Sequence, residues 1–419
     1  MLFACLTAVA LRAMTAAQEY KTTLPIEHPA IAYDQGPEPA ALAGLGKALS
    51  AFPRKASEPN RMDAWLAPAL AALGIGVDSQ MLVFSKTSVQ ASRVSPSRPR
   101  AIYFSDEASI AFVPGAPTIE LAAVDPMRGT LFYALSADGG GGMALTRSAT
   151  CLHCHRGPNT SGVPGMYVGS VIPGPTGAPL PDDTAVITDH RTPFADRWGG
   201  WYVTARRGEQ PDRANAVATD PALPFLLQRD TRQNLATLAG RFPTAAYAAD
   251  ASDIVALMVF EHQTQMINLL TRVSWQARIA IASGSADART AALDTDIADL
   301  VRYMLFLDEA PLVEPVEGTT TFARTFASRG PRDPRGRSLR ELDLQTRLFR
   351  YPLSYLIFSP SFDALPDAIR RRIYQRLFDL LMGDGAPWKG AVTAADRRTA
   401  VEIVGAAKPN APDEWRRIR

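Results

Sequence analysis

The residues most suited to chemistry in this sequence form the run Cys151-Leu152-His153-Cys154-His155. Two thiols at this spacing can each add to one vinyl group of a haem, and the imidazole that follows then faces the iron from the same side. The pattern is the CxxCH signature of c-type haem attachment. The sequence therefore predicts one covalent haem c, attached at Cys151 and Cys154, with His155 as the proximal iron ligand.

A CxxC pair has two other common uses. It can be a redox dithiol, which usually opens a helix after a strand in a thioredoxin-like fold, or it can be half of a zinc site. No thioredoxin-like pattern surrounds this pair, and the third cysteine, Cys5, stands near the N-terminus, so no second pair completes a zinc site. His153, between the two cysteines, is interpreted as a residue that does not bind iron.

The second axial position of the iron has three candidates, and His262 is the first. It lies among apolar residues that recur at helical spacing, which predicts a buried face of a long helix. The stripe is Val255, Val259, His262, Met266, Leu269 and Val273. A buried imidazole without a partner costs about 1–3 kcal/mol, and coordination to iron would remove that cost. An ordinary core histidine is the competing interpretation.

Met166 and His190 are the other two candidates. Met166 follows the attachment run in a Gly/Pro-rich loop, the position from which small cytochromes c supply a methionine ligand. His190 lies in a turn, where Arg191 or Arg197 could pair with a haem propionate. The aromatic run Trp198–Tyr202 could pack on the porphyrin or fill the core of a β-hairpin.

Short β-rich runs separated by turn residues precede the attachment run, and they predict antiparallel strands. These runs are Met81–Phe84, Ile102–Phe104, Ile110–Val113, Thr118–Val124 and Thr130–Leu135. A glycine run, Asp138–Gly142, is expected to end this sheet. Two later runs, Val186–Ile187 and Trp198–Thr204, are candidates for further strands.

From about residue 250 the pattern becomes helical. Ser252-Asp253 predicts an N-cap and Ser283-Gly284 predicts a stop, so one helix of about 30 residues lies between them. Other predicted helices are Trp65–Leu73, Arg289–Leu307, Ala368–Met382 and Ala394–Ala406.

The predicted fold class is α+β. An N-terminal small antiparallel β region leads into the haem c attachment loop, and a mainly α-helical C-terminal half follows. The predicted organisation is a signal peptide at 1–18, an irregular wrapping segment at 19–80, a β-rich region with the CxxCH site at 81–210, and a mainly helical region at 211–419 that packs on the haem region.

The N-terminus and the charge bear on location and partners. The apolar run Leu2–Leu11, followed by small residues near Ala16-Ala17, is typical of a secretory signal peptide, with a buried N-terminal helix as the alternative. We therefore expect export, to the periplasm or elsewhere outside the cytoplasm. No later apolar run is long enough to span a membrane. The net charge is +2, and no basic stripe with aromatic residues indicates a nucleic-acid partner.

Several stretches together resemble a group of large, exported, single-haem cytochrome c-like proteins of environmental bacteria, which are largely uncharacterised. The resemblance runs across most of the chain. The stretches are Ala101–Leu135, Cys151–Met166, Thr188–Thr204, Glu261–Met266 and Arg329–Asp333. The resemblance implies haem binding at Cys151, Cys154 and His155 and electron transfer, but it implies neither a substrate nor a distal ligand.

Two classes of function remain open at this point. The first is electron transfer, in which the haem exchanges electrons with a periplasmic redox partner protein. The second is a haem-dependent oxidoreductase, with an open iron site that acts on peroxide, oxygen or a small substrate, or a haem-based sensor. The length of the chain exceeds what a single haem needs, which keeps an enzyme in consideration. A single attachment motif disfavours the dihaem peroxidases.

Overall fold

The structure is a computed structural model. It describes residues 22–51, 63–138, 143–181, 183, 185–219, 227–229, 234–285, 290–383, 388 and 392–418. The predicted signal peptide at 1–18 lies outside the described residues and stays a prediction. No helix in the described ranges has both the length and the apolar character needed to cross a bilayer.

Thirteen strands are assigned in the described part of the chain. They are β1 (Met81–Val83), β2 (Arg100–Phe104), β3 (Ala108–Phe112), β4 (Thr118–Asp125), β5 (Gly129–Ala137), β6 (Met143–Arg147), β7 (Val168–Ser170), β8 (Val186–Thr188), β9 (Trp201–Tyr202), β10 (Ala205–Arg206), β11 (Ala216–Ala218), β12 (Leu227–Arg229) and β13 (Glu317–Gly318).

Ten α-helices are assigned over the same described residues. They are α1 (Ala43–Ala51), α2 (Asp63–Ala72), α3 (Leu152–His155), α4 (Ile254–Ala282), α5 (Ala291–Met304), α6 (Phe322–Ser328), α7 (Pro360–Asp363), α8 (Asp367–Met382), α9 (Ala394–Ala407) and α10 (Asp413–Arg416). In the segment at 19–80, α2 corresponds to the predicted helix Trp65–Leu73, and α1 is a helix that was not predicted.

The predicted fold class is wrong, because the β region is not small. Strands β1–β6 and β9 form one seven-stranded antiparallel sheet in the order β6-β5-β4-β3-β2-β1-β9. The glycine run at 138–142 does not end this sheet, since β6 follows it and pairs with β5. Strand β9 comes after the attachment run and pairs with β1 at the other edge. The chain is thus a mix of a large sheet and C-terminal helices.

Alternation of side chains along the strands gives the sheet two faces with different neighbours. One face includes Leu82, Tyr103 and Ile110, which pack with Leu45 of α1 and Leu70 of α2 in one core cluster. The segment before β1 thus covers one face of the sheet rather than wrapping the outside of the molecule.

The opposite face of the sheet turns towards α4. Val83, Ile102 and Phe104 of this face share a second core cluster with Phe260 of α4, and the helices that follow α4 extend this cluster. The molecule is therefore layered, with the sheet between α1–α2 on one side and α4 with the later helices on the other.

Helix α4 is the central element, and its sequence signals are confirmed. Asp253 caps it by accepting hydrogen bonds from Val255 N (2.8 Å) and Ala256 N (3.2 Å), and Ser283 ends it. The helix is buried around most of its circumference. Burial on all sides places α4 in the interior of the molecule, so the polar residues that it carries must find partners on neighbouring elements.

Candidate functional site

The attachment run borders a large cavity between the sheet and the segment 151–185. This attachment cavity has an empty volume of about 1180 Å³, including space open to solvent, and its walls include Cys151, Cys154 and His155. The two thiols and the imidazole of the CxxCH run therefore border one and the same cavity.

The inner wall of this cavity is one face of the sheet. The register places Ile102, Ala111 and Glu120 in one row across β2, β3 and β4. Ser109, Ala122 and Phe132 form the next row across β3, β4 and β5. All six residues line the cavity. The side chains at 109, 111 and 122 are small, so they leave space above the strands.

His155 is held in one orientation by its neighbours. Its Nδ1 lies 2.9 Å from the carbonyl oxygen of Gly165, and its ring packs between Phe132 and Tyr167, with centroid distances of 5.0 and 5.2 Å. A carbonyl acceptor requires the proton on Nδ1 and leaves the lone pair of Nε2 free for a metal. Burial lowers the pKa of His155, which favours the neutral imidazole that coordination requires.

The two cysteines differ in their surroundings. Cys151 is half-buried, with Sγ 3.4 Å from Ser148 Oγ, whereas Cys154 is exposed, and both are free thiols. Burial raises the pKa of Cys151 above its ordinary value. Redox dithiols depend on a lowered thiol pKa, so the surroundings of Cys151 disfavour that use.

Neither a zinc site nor a role for His153 gains support from the geometry. Among the described residues, no group of three or more His, Cys, Asp or Glu side chains could hold a metal ion between them. His153 is exposed, and its Nδ1 lies 2.9 Å from Thr150 O, outside the set of residues that line the cavity.

Helix α4 fixes the loop that orients His155. Asn268 Nδ2 donates to Met166 O at 2.8 Å, and Arg272 Nη1 donates to Ser161 O at 2.9 Å. A Cβ atom at Gly165 would lie 1.9 Å from Asn268 Oδ1, so only glycine permits this approach. The carbonyl that holds His155 is therefore positioned by a buried helix rather than by the loop alone.

Met166 is the one candidate for the second axial position that lies at the cavity. Its side chain contributes to the wall together with Tyr167 and Phe260. Among the described residues that line this space, His155 has the only imidazole and Met166 has the only thioether.

His262 and His190 lie in a separate buried cluster. The two Nδ1 atoms are 2.9 Å apart, and His262 Nε2 lies 2.8 Å from Ser354 Oγ. Both nitrogens of His262 thus have partners, so the premise that its imidazole needs the iron does not hold. Phe260 faces the cavity, and a residue two positions further along a helix points elsewhere.

The arginines proposed for a propionate are engaged elsewhere. Arg191 pairs with Asp189 at 2.5 Å. Arg197 Nη1 lies 3.2 Å from Glu261 Oε2 in a fully buried pair, although burial raises the pKa of Glu261. This buried network stabilises the core near His190 and does not reach the cavity.

The aromatic run after His190 divides between the buried core and the cavity wall. Trp198 is fully buried and donates from Nε1 to Glu261 Oε1 at 3.0 Å. Trp201 lines the attachment cavity and donates from Nε1 to Gly169 O at 2.8 Å. Between them, a Cβ at Gly199 would lie 2.0 Å from Val171 O, which explains the glycine by close backbone approach.

Sequence reasoning missed the polar members of the wall. Arg100 and Glu120 form an ion pair on the sheet face, and both line the cavity. Arg100 Nε and Glu120 Oε1 are buried without a hydrogen-bond partner. The signal that could have revealed them is the alternation in β2 and β4, which puts these charges on the same face as Ile102 and Ala122.

Comparison of the chain with protein-family models, with curated proteins and with solved structures finds no match in any of the three. What the cavity can hold therefore follows from its own donors and shape. Two thiols and one imidazole whose Nδ1 is bound to a carbonyl are the donor set that a covalently attached haem requires.

Proposed function

We propose that this protein is a c-type cytochrome that carries one haem in the attachment cavity and transfers electrons to or from a partner protein outside the cytoplasm. The observation that supports it most is the position of His155. Its Nδ1 is bound to Gly165 O, and both cysteines of the CxxCH run border the same cavity. A bound haem c would supply a one-electron redox couple whose potential depends on the axial ligands and on burial.

The chain's own residues have distinct parts in this proposal. Cys151 and Cys154 would hold the group by thioether bonds, and His155 would supply the first axial nitrogen. Phe132 and Tyr167 keep the imidazole from turning, because they pack on its ring. The apolar side chains of the sheet wall would limit access of water to the group, and the Arg100–Glu120 ion pair on the same wall would contribute charge beside it.

Electron transfer to a partner requires an edge near the surface. Several cavity residues are exposed at its mouth, namely Thr87, Val89, Cys154, Asn159 and Ala185. A group attached at Cys154 would therefore lie within reach of a docked protein. Met166, as the one candidate at the cavity, is assigned to the second axial position in this proposal.

The proposal is tested by haem attachment. Wild-type protein, produced in a host that matures c-type cytochromes, should keep a haem stain after denaturing electrophoresis and contain one iron per chain. The double variant Cys151→Ser/Cys154→Ser should lose the stain, because no thioether can form. His153→Ala, which changes an exposed residue between the same cysteines, should retain it. A stained double variant, or an unstained wild type, would refute the proposal.

A further inference from the structure

A second cavity lies beyond the attachment cavity, between the β2–β3 turn, α4 and the segment 330–361. This arginine cavity has an empty volume of about 700 Å³, including space open to solvent, and its walls include Glu107, Val124, Ile267, Arg340 and Ser361. A smaller cavity of about 310 Å³ shares Glu107, Val124 and Ile267 with it. The same small cavity shares Met166 and Phe260 with the attachment cavity.

Arg340 is the group that gives this cavity its chemistry. Its side chain is only 7% exposed, and its guanidinium lies over the ring of Tyr355 at 4.2 Å and over the ring of Phe326 at 4.8 Å. Nη2 donates to Asp106 Oδ2, whereas Nη1 is buried and has no hydrogen-bond partner. A buried guanidinium with unused donors favours a further oxygen acceptor.

Gly330 keeps the space beside this guanidinium open. It lines the cavity, and a Cβ atom there would lie 2.6 Å from Arg340 Nε. Its φ of +82° is a conformation that glycine adopts readily. Because glycine has no side chain, residue 330 leaves the side of Arg340 that faces it open.

Among the described residues that line the cavity, Arg340 is the one cation, and Asp106 and Glu107 carry carboxyl groups. Burial and Asp106 raise the pKa of Tyr355, whereas Arg340 and Arg329 lower it. The Asp106 side chain is 40% exposed, so water screens its charge more than that of Arg340. Burial, reinforced by Asp106, raises the pKa of Glu107, which favours its neutral form.

The rest of the wall is mostly apolar, with one polar group of note. Val124, Ile267, Leu356 and Phe358 line it, and Ser361 adds a hydroxyl that can donate to an oxygen. We propose that the arginine cavity binds a small amphipathic carboxylate, with its carboxylate on Arg340 and its hydrocarbon part along Val124 and Ile267. This inference does not rest on the proposed haem.

Arginine is suited to this ligand because its planar fork matches the two oxygens of a carboxylate, and a charged hydrogen bond is roughly twice as strong as a neutral one. A neutral amide of the same shape offers one oxygen and no charge. The amide should therefore bind at least about tenfold more weakly than the acid.

The test is titration calorimetry and thermal melting of the full-length protein, as isolated, with acetate, butyrate, hexanoate and benzoate at constant ionic strength. At least one of the longer acids should bind with a single site and raise the melting temperature as its concentration rises. Butyramide should bind at least about tenfold more weakly than butyrate. Absence of binding by all four acids, or equal binding of butyrate and butyramide, would overturn the proposal.

Variants locate the site. Arg340→Lys keeps the charge but loses the fork, and it should weaken binding of the acid by about tenfold or more. Arg350→Gln is the matched control, because Arg350 lies in the same segment, is 58% exposed and pairs with Glu341 on the surface. Ile267→Phe narrows the apolar end of the cavity and should weaken hexanoate more than acetate. Unchanged affinity in both Arg340→Lys and Ile267→Phe would place the ligand elsewhere and refute the assignment.

Discussion

His262, His190 and Met166 differ in the partners that their donor atoms already have. His262 has a neighbour at each ring nitrogen, His190 at Nδ1, and the thioether of Met166 needs none. A ligand must present a free lone pair at the cavity, and only Met166 lies there. The hydrogen bonds of His262 to Ser354 and His190 thus avoid the cost of an unpaired buried imidazole, so coordination to iron is not needed for this.

Met166→Ala and His262→Ala should have different spectra. Loss of Met166 should convert a low-spin haem spectrum to a high-spin one, while attachment persists. His262→Ala should leave the haem spectrum unchanged and lower stability by about 2–3 kcal/mol, because it removes two buried hydrogen bonds and leaves their partners unpaired. Optical spectra and urea unfolding of both variants check this.

If His262→Ala gave a high-spin spectrum and Met166→Ala did not, His262 would be the second axial ligand. A wild-type spectrum that is already high-spin would instead show an open iron position, which is the arrangement expected of the oxidoreductase or sensor alternative. Neither result would affect the test of attachment at the cysteines.

Whether a residue's role can be predicted from the sequence depends on how far away in the sequence its partners lie. The CxxCH pattern is readable because its residues are adjacent and their chemistry depends on that spacing. The partners of His262 are not readable, since Ser354 lies 92 positions away and no local pattern links them. Arg340 and Asp106 are a similar case, because they meet across 234 positions.

At the scale of elements, α4 organises both cavities, and its N-terminus connects it to other parts of the chain. Asp253 Oδ1 caps the helix, and its Oδ2 accepts from Thr320 N and Thr320 Oγ1, both at 2.8 Å. A Cβ at Gly318 would lie 2.6 Å from that same oxygen. One buried carboxylate thus joins α4 to the strand β13 and the turn after it.

Asp253→Ala should therefore lower the free energy of unfolding by more than the loss of an ordinary N-cap does. We expect a loss of about 2–4 kcal/mol in the free energy of unfolding, since capping alone is worth about 1 kcal/mol and the buried Thr320 donors lose their acceptor too. Thr290→Ala is the matched control, because Thr290 caps α5 only through Leu293 N at 3.1 Å. Urea unfolding of both measures the difference, and equal losses would contradict the prediction.

Elements were predictable from sequence where their signals are local. The bounds of α4 follow from its caps and periodicity, those of α8 and α9 were predicted to within one residue, and strands β2–β5 follow from alternation and turns. The size of the sheet was not predictable, because β9 reaches β1 from 118 or more positions away in the chain. A strand of two residues carries too little pattern to reveal such a pairing.

The whole molecule contains buried imidazoles that unfolding would expose to protonation. Burial lowers the pKa of His262 to about 3, and it also lowers that of His190, with Arg191, Arg197 and His262 itself acting in the same direction. The unfolded chain has a histidine pKa of about 6.5. Between these values the unfolded state binds more protons than the folded state, so stability falls as the pH falls.

His262→Asn should reduce this loss of stability in acid. His262 contributes a slope of about 1.4 kcal/mol per pH unit between about pH 3 and 6.5, and the variant lacks this contribution. Glu261 acts with the opposite sign, because its raised pKa favours the folded state in acid. The difference between variant and wild type therefore measures the contribution of His262 together with its effect on the pKa of His190.

The measurement is urea unfolding from pH 4 to pH 7. His153→Asn, at an exposed position, should reproduce the wild-type pH dependence. A His262→Asn curve parallel to the wild type over the whole range would show that burial does not hold this imidazole neutral.

The position of β9 at the far edge of the sheet has a consequence for biogenesis. A chain that emerges from its N-terminus presents Cys151 and Cys154 before Trp201 has paired with Val83 and before Phe260 of α4 has arrived. At that moment the wall beneath the thiols is incomplete and the cavity is open on two sides. If haem c is attached as proposed, both sulfurs would be accessible to a maturation enzyme before the later segments complete the wall.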